Sequence, residues 1–240
     1  MKPLLLRAAA LTAALAIGAS AQAAASDPLE GINRVVYRFN DGLDTVLLKP
    51  VAEGYRAVVP ELARSGVNNV FGNIGDVWSA LNSLLQGKGQ TAATMAFRVG
   101  TNTLFGIGGL FDVASDLGLE RQSEDFGQTL GRWGFGAGPY LVLPLLGPSS
   151  LRDAAALPLD MSAGVGAYTD DRRTTNSLSA LQLVNTRANL LSAGRVLDDI
   201  ALDKYVFIRD AYLSRRRNQV YDGDPPPLPE DKDDAPPARK

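Results

Sequence analysis

Carboxylates are the side chains of this 240-residue chain whose types best suit acid–base chemistry, and two pairs are adjacent, Asp170-Asp171 and Asp198-Asp199. Adjacent residues point to different sides of a helix or lie in a turn, so these pairs are better explained as caps or solvated faces. The chain has no histidine, which removes the usual general base, the commonest metal ligand and the Ser-His-Asp triad. We therefore predict a protein that is not an enzyme and needs no cofactor or metal.

A second pattern with possible chemistry is a glycine-rich stretch within residues 104–117. A phosphate-binding G-x-G-x-x-G loop would need a glycine where Phe111 stands and a strand before it, and neither condition is met. Residues 134–138 fail on similar grounds. Two interpretations of residues 104–117 stay open: a tight turn between two short core helices, or a hairpin whose apolar faces enter a membrane or gate a lipid path.

Basic residues cluster only at Arg215-Arg216-Arg217. This run either contacts anionic head groups or complements the dipole at the end of a helix. The formal net charge is -2, and no nucleic-acid-binding motif is present. We therefore exclude nucleic acid as a partner.

Residues 1–23 resemble a secretory signal. Lys2 and Arg7 are basic, residues 8–19 are small and apolar, and residues 21–23 form an A-x-A cleavage pattern. The apolar run is short of the about 20 residues that cross a bilayer. We predict export, and because Ser20 stands where a lipidated cysteine would be expected, we predict attachment to the membrane through the folded surface.

The remaining chain divides into one body and one tail. Residues 222–240 are rich in proline and charge and predict a disordered acidic tail. Residues 27–221 have the length of a single domain. Asp27-Pro28 followed by Glu30 predicts a helix with a capping box at the start of this domain.

Apolar residues in the body recur at helical spacing. Residues 32–47 form one stripe, which Lys49-Pro50 is predicted to interrupt, and residues 67–85 form a longer one with an asparagine-rich opposite face. The favoured interpretation of the longer stripe is a helix packed on a soluble core, and a membrane-interface helix is the alternative. Further helices are predicted over 90–99, 175–200 and 203–219, so the fold class is all-α.

The exception to this pattern is residues 140–148, which are too apolar for a surface loop and too rich in proline for a helix. We predict an extended, buried segment here. Ser150 and Asp153 then predict the start of another helix, with Ser150 as its cap.

Several of these segments together resemble the MlaA (VacJ) family. They are residues 27–40, 64–87, 102–112, 126–131, 136–147 and 151–153. The resemblance covers most of the body, in order, and implies a single ring- or disc-like helical domain with an apolar helical hairpin. It implies a protein at the periplasmic side of the outer membrane that removes mislocalised phospholipids from the outer leaflet through an amphipathic channel. The implied partners are phospholipids, a trimeric porin and a periplasmic MlaC-like lipid carrier.

The resemblance also suggests functional residues. Phe39 and Asn40 are predicted to support the hairpin, while Tyr140 and Arg152 are predicted to line the lipid route unless they serve core packing and a buried ion pair. The predicted gating hairpin comprises Leu104, Phe105, Gly106, Gly108, Gly109, Phe111, Asp112 and Leu117.

Two other functions stay open. A helical envelope adaptor could bind a porin through the apolar hairpin without moving lipid. A phospholipase is a more distant alternative, which release of fatty acid by the pure protein would reveal.

Overall fold

Helices make up most of residues 27–227, which are the residues that this computed structural model describes. The helices are α1 Glu30–Leu43, α2 Lys49–Val58, α3 Glu61–Leu85, α4 Gly89–Leu104, α5 Val113–Asp116, α6 Phe126–Arg132, α7 Leu151–Ser162, α8 Arg172–Ile200 and α9 Lys204–Val220. The strands β1 Tyr140–Leu143 and β2 Gly147–Ser150 form an antiparallel hairpin. The all-α fold class is thus confirmed, with this hairpin as its one addition among the described residues. The predicted signal, residues 1–23, lies outside them.

Helix α1 begins later than its sequence predicts. The Asp27 carboxylate accepts a hydrogen bond from the Leu29 amide at 3.1 Å, but the helix starts at Glu30. The predicted capping box is wrong, because Glu30 pairs with Arg34 at 2.7 Å on the next turn instead of reaching back.

The predicted break at Lys49-Pro50 is also wrong. Helices α1 and α2 are joined by a π-helical turn, Asp44–Leu48, in which the Lys49 amide bonds to the Asp44 carbonyl. Pro50 then stands in the first turn of α2. A proline is tolerated there because its missing N–H would have little to bond to within the helix, and the wider π turn carries the chain past it.

Helix α3 has the opposite orientation to the favoured prediction. Its polar residues Asn73, Asp76 and Asn82 are buried, whereas the apolar stripe faces outward, with Leu84 61% exposed. The same inversion extends over residues 27–227, where sixteen polar or charged residues are buried against twelve apolar ones. Water-soluble domains bury the opposite composition.

The apolar core is correspondingly small and divided. One cluster joins α2 and α8 through Ala52, Ala188 and Leu191. The other surrounds Tyr140 and Tyr205, where the β-hairpin meets α1 and α9. Because apolar packing is limited, hydrogen bonds and ion pairs between buried groups carry much of the specificity of this fold.

Two asparagines of α1, seven residues apart, hold the β-hairpin. Asn33 donates to the Tyr140 carbonyl at 3.0 Å and accepts from the Val142 amide at 2.9 Å. Asn40 donates to the Leu143 carbonyl at 2.9 Å and accepts from the Leu145 amide at 2.8 Å. Each carboxamide therefore takes the place of a neighbouring strand for the backbone of β1 and its turn.

We expect Asn40→Ala to lower the free energy of unfolding by about 2 kcal/mol, because it leaves a carbonyl and an amide of the β-turn without their side-chain partner. Thermal unfolding of the purified full chain measures the effect. Asn176→Ala is the matched control, since Asn176 is exposed on α8, and it should change stability by less than about 0.5 kcal/mol. Equal stability of the two variants would contradict the clamp.

The extended prediction for residues 140–148 is confirmed in part. Tyr140 and Val142 are buried in β1, but Leu145 and Leu146 in the turn are exposed. The predicted cap of the next helix is confirmed, because the Ser150 side chain accepts from the Asp153 amide.

Residues 104–117 do not form two helices. After α4 ends, residues 105–111 make a glycine loop, and α5 adds a single helical turn. We call residues 105–112 the glycine loop. The predicted helical hairpin is therefore not found, because positive φ at Ile107, Gly108 and Gly109 turns the backbone away from any helix.

Candidate functional site

Two adjoining cavities lie between the helices. The smaller, of about 370 Å³, lies between α3 and α8, and the larger, of about 960 Å³, lies between the start of α4 and the end of α9. Both are lined by Arg121, Ser123 and Glu124. The walls of the smaller cavity combine polar side chains with Phe71 and Trp78, so it can accept a molecule with polar and apolar parts.

Arg98 is the centre of the polar interior beside these cavities. It is completely buried, and its guanidinium bonds to Asp76 at 3.2 Å and to both carboxylate oxygens of Asp112 at 2.8 and 3.0 Å. It also donates to the Ser115 hydroxyl and the Leu119 carbonyl. A buried charge in a protein is retained when several partners share it, as here.

Asp112 fixes the end of the glycine loop. Burial raises the pKa of this carboxyl, but hydrogen bonds from Ser115, Asn102 and Arg98 outweigh it and lower the pKa to about 2. Asp112 also caps α5 through the Ser115 amide. The carboxylate therefore stays ionised at any ordinary pH, and the ion pair with Arg98 stays intact.

The polar face of α3 holds the rest of the glycine loop. Asn69 donates to the Leu110 carbonyl at 3.1 Å, and Asn73 donates to the Thr103 hydroxyl at 3.2 Å. The apolar side chains of the loop point away from these contacts, with Phe105 and Ile107 both 72% exposed. A polar helix face thus presents an apolar loop surface.

A second buried ion cluster connects α6, α7 and α9. Arg216 pairs with Asp125 at 2.5 Å and with Asp153 at 2.8 Å. Burial lowers the pKa of Arg216, but the two carboxylates outweigh it and raise the pKa, and in turn Arg216 holds the pKa of both carboxyls low against the effect of burial. The central arginine of the basic run is therefore a structural residue, while Arg215 lines the larger cavity.

The structure separates several residues that the sequence grouped together. Asn40 contacts the β-hairpin, and Phe39 beside it is exposed, so this pair lies at the β-turn. Tyr140 packs against Tyr205, and burial raises its pKa to about 12. Arg152 forms an ion pair with Asp153 at 2.9 Å. Tyr140 and Arg152 are absent from the linings of the two described cavities.

The predicted gating residues remain together in the glycine loop and the turn that follows it. Leu104, Phe105, Phe111 and Leu117 are exposed, whereas Gly106 and Gly109 are buried. The sequence did not single out Arg98 or Arg121. The signal for Arg98 was available, because an arginine between Phe97 and Val99 in an apolar helical run needs buried partners.

Within residues 27–227 no helix is both long and apolar enough to cross a bilayer, and no cluster of three or more acidic side chains could hold a metal ion. The described residues instead place polar side chains and cavities inside and apolar side chains outside. This arrangement defines a class of helical protein that faces an apolar environment outside and binds amphipathic molecules inside.

The chain belongs to the MlaA family: the sequence profile described as "MlaA lipoprotein" matches residues 25–219. It is 36% identical over 220 residues to "Intermembrane phospholipid transport system lipoprotein MlaA" of Escherichia coli, covering 88% of this chain and 86% of that protein. The Haemophilus influenzae protein of the same name is 31% identical over 211 residues, covering 82% and 80%.

A solved structure has the same fold. One of its chains superposes with a TM-score of 0.72 at 35% sequence identity, covering 81% of this chain and 99% of that chain. That structure is described as "Structural basis for maintenance of bacterial outer membrane lipid asymmetry". The family resemblance of the sequence is thereby confirmed.

Proposed function

We propose that this protein removes phospholipids from the outer leaflet of the outer membrane and passes them through its interior to a soluble periplasmic carrier. The observation that carries the proposal is the inverted polarity of α3, whose buried Asn73, Asp76 and Asn82 face the interior while Leu81 and Leu84 face outward. A phospholipid has a charged head and apolar tails, so its route needs polar and apolar walls together.

The apolar exterior supports a position within a membrane leaflet. Exposed side chains on α1, α3 and the glycine loop would contact acyl chains, and such contact would hold the protein without a spanning helix. In this proposal the protein is seated at the periplasmic side of the outer membrane, next to a trimeric porin. The names of the relatives above support the lipid substrate, and the porin and an MlaC-like carrier are proposed partners.

The glycine loop is the proposed gating element. It is fastened at Asp112, which shares Arg98 with Asp76 of α3, and Arg121 joins the same carboxylate of Asp76 to both cavities. Movement of the loop would therefore change the ion pairs that line the interior. This part of the proposal rests on a continuous set of contacts rather than on distance alone.

The test fills the smaller cavity. Gly75 lines it, and a Cβ at this position would meet nothing within 4 Å, so Gly75→Phe should place a ring in the cavity without backbone strain. In a strain lacking the gene, wild type should reduce the phospholipid exposed on the cell surface, and Gly75→Phe should fail to do so. Surface phospholipid is measured by outer-leaflet labelling.

Gly100→Phe is the matched control. It places the same ring on a helical glycine of α4 that also has free space but does not line either cavity, so it should restore asymmetry. Restoration by Gly75→Phe to the wild-type level would exclude the smaller cavity from the route. If even wild type leaves surface phospholipid unchanged, the adaptor that binds a porin without moving lipid is the better function.

A further inference from the structure

Arg121 occupies the only segment that lines both cavities of the described residues. It lies between α5 and α6, and a molecule moving from one cavity to the other would pass its guanidinium. This position alone makes Arg121 a contact for any cargo. The way the side chain is held shows which part of a cargo it suits.

One edge of the guanidinium is fixed by Asp76. Arg121 Nε donates to Asp76 Oδ1 at 2.9 Å and to Oδ2 at 3.2 Å, and Asp76 is 1% exposed. The flat side of the guanidinium rests on Gly72 of α3, where a Cβ would lie only 2.5 Å from Nη1 and 2.7 Å from Nη2. The side chain is therefore pre-oriented before any cargo binds.

The other edge has a donor to spare. Arg121 Nη2 is buried, and among the described residues it has no acceptor within hydrogen-bond distance. Asp112 Oδ2 lies 3.9 Å away, which is too far for a hydrogen bond. A buried donor without a partner is rare in proteins because it is costly, and it calls for an explanation such as a bound ion or ligand.

We propose that Arg121 binds a phosphate group at the junction of the two cavities, and this inference rests on the proposed lipid route. The planar fork of a guanidinium matches the oxygens of a phosphate better than any other side chain does. The nearby carboxylate of Glu124 does not repel such an anion strongly, because Lys88 at 2.8 Å and Gln86 at 2.9 Å already compensate it. The phosphate belongs either to a phospholipid or to free inorganic phosphate.

The test uses a tryptophan already in the smaller cavity. The chain has two tryptophans, so Trp133→Phe leaves Trp78 as the only one, and Trp78 lines the cavity that Arg121 also lines. The full chain in detergent is titrated with dihexanoyl phosphatidylglycerol, dihexanoylglycerol and inorganic phosphate, and Trp78 fluorescence is followed. We expect phosphatidylglycerol to bind at least about tenfold more tightly than dihexanoylglycerol.

Two variants remove the contact in different ways. Arg121→Gln removes the charge, whereas Gly72→Ala keeps the charge and pushes the guanidinium aside, while alanine favours the helix. Both should weaken phosphatidylglycerol binding about tenfold and leave dihexanoylglycerol binding unchanged. Arg132→Gln, at an exposed arginine outside both cavities, should bind like the wild type.

The outcomes separate the two levels of the argument. Binding of phosphatidylglycerol and dihexanoylglycerol with equal affinity, or unchanged binding by both cavity variants, overturns the role of Arg121 while leaving the lipid route in place. Binding of neither lipid nor phosphate by the wild type overturns both. Competition by inorganic phosphate at the concentration of the lipid supports the phosphate site and assigns it to the free anion.

Discussion

Replacing Arg98 by methionine should lower the free energy of unfolding by about 3–5 kcal/mol, which is a large share of the roughly 5–15 kcal/mol that stabilises a domain. The side chain is fully buried and holds Asp76 and Asp112, so its loss leaves carboxylates in the interior with too few partners. The melting temperature of the full chain in detergent should fall by roughly 10 °C or more.

A second substitution distinguishes charge from packing in this prediction. Adding Asp112→Asn to Arg98→Met removes one of the unpaired carboxylates, so the double variant should be more stable than the sum of the two single effects allows. Arg132→Met changes an exposed arginine in the same way and should leave the melting temperature within about 2 °C of the wild type. A melting temperature of Arg98→Met as high as that of this control would show that the buried cluster does not stabilise the fold.

The sequence could predict where helix α3 lies but not which way it faces. The apolar stripe from Val67 to Leu85 has the helical period, and the helix is where that period predicts. Periodicity defines two faces and says nothing about the solvent on either side. The assumption of a water-soluble core, which is usually safe, assigned the apolar face to the interior, and the structure places Asn82 there instead.

Short-range signals were reliable where one side chain decides the geometry. Ser150 caps its helix as predicted, because its partner amide is only three residues away. Pro50 misled the prediction, because a π turn upstream absorbs the proline and no sequence rule anticipates it. The ion pairs of Arg98 and Arg121 join segments 14–45 residues apart, so their partners became identifiable only once α3, α4 and the glycine loop were placed together.

Replacing Gly106 by alanine should abolish the native glycine loop and with it the ability of the protein to keep phospholipid off the cell surface. A Cβ at this position would overlap the Phe111 carbonyl oxygen and lie 2.5 Å from the Asn102 carbonyl oxygen. Both are backbone atoms that cannot rotate away, so we expect a local cost of about 3 kcal/mol or more. In the strain lacking the gene, surface phospholipid should stay as high as without complementation.

Gly108 provides the matched control two residues away. Its φ is +68°, and a Cβ there meets nothing within 4 Å, so Gly108→Ala carries only backbone strain of about 1 kcal/mol and should restore asymmetry largely as the wild type does. Both variants keep the Asp112 anchor, and equal amounts of each in the envelope must be verified by immunoblot. Since the two changes add the same methyl group to the same loop, a difference between them isolates the conformation at Gly106. Equal activity of the two variants would mean that lipid passes through the cavities without any contribution from the loop.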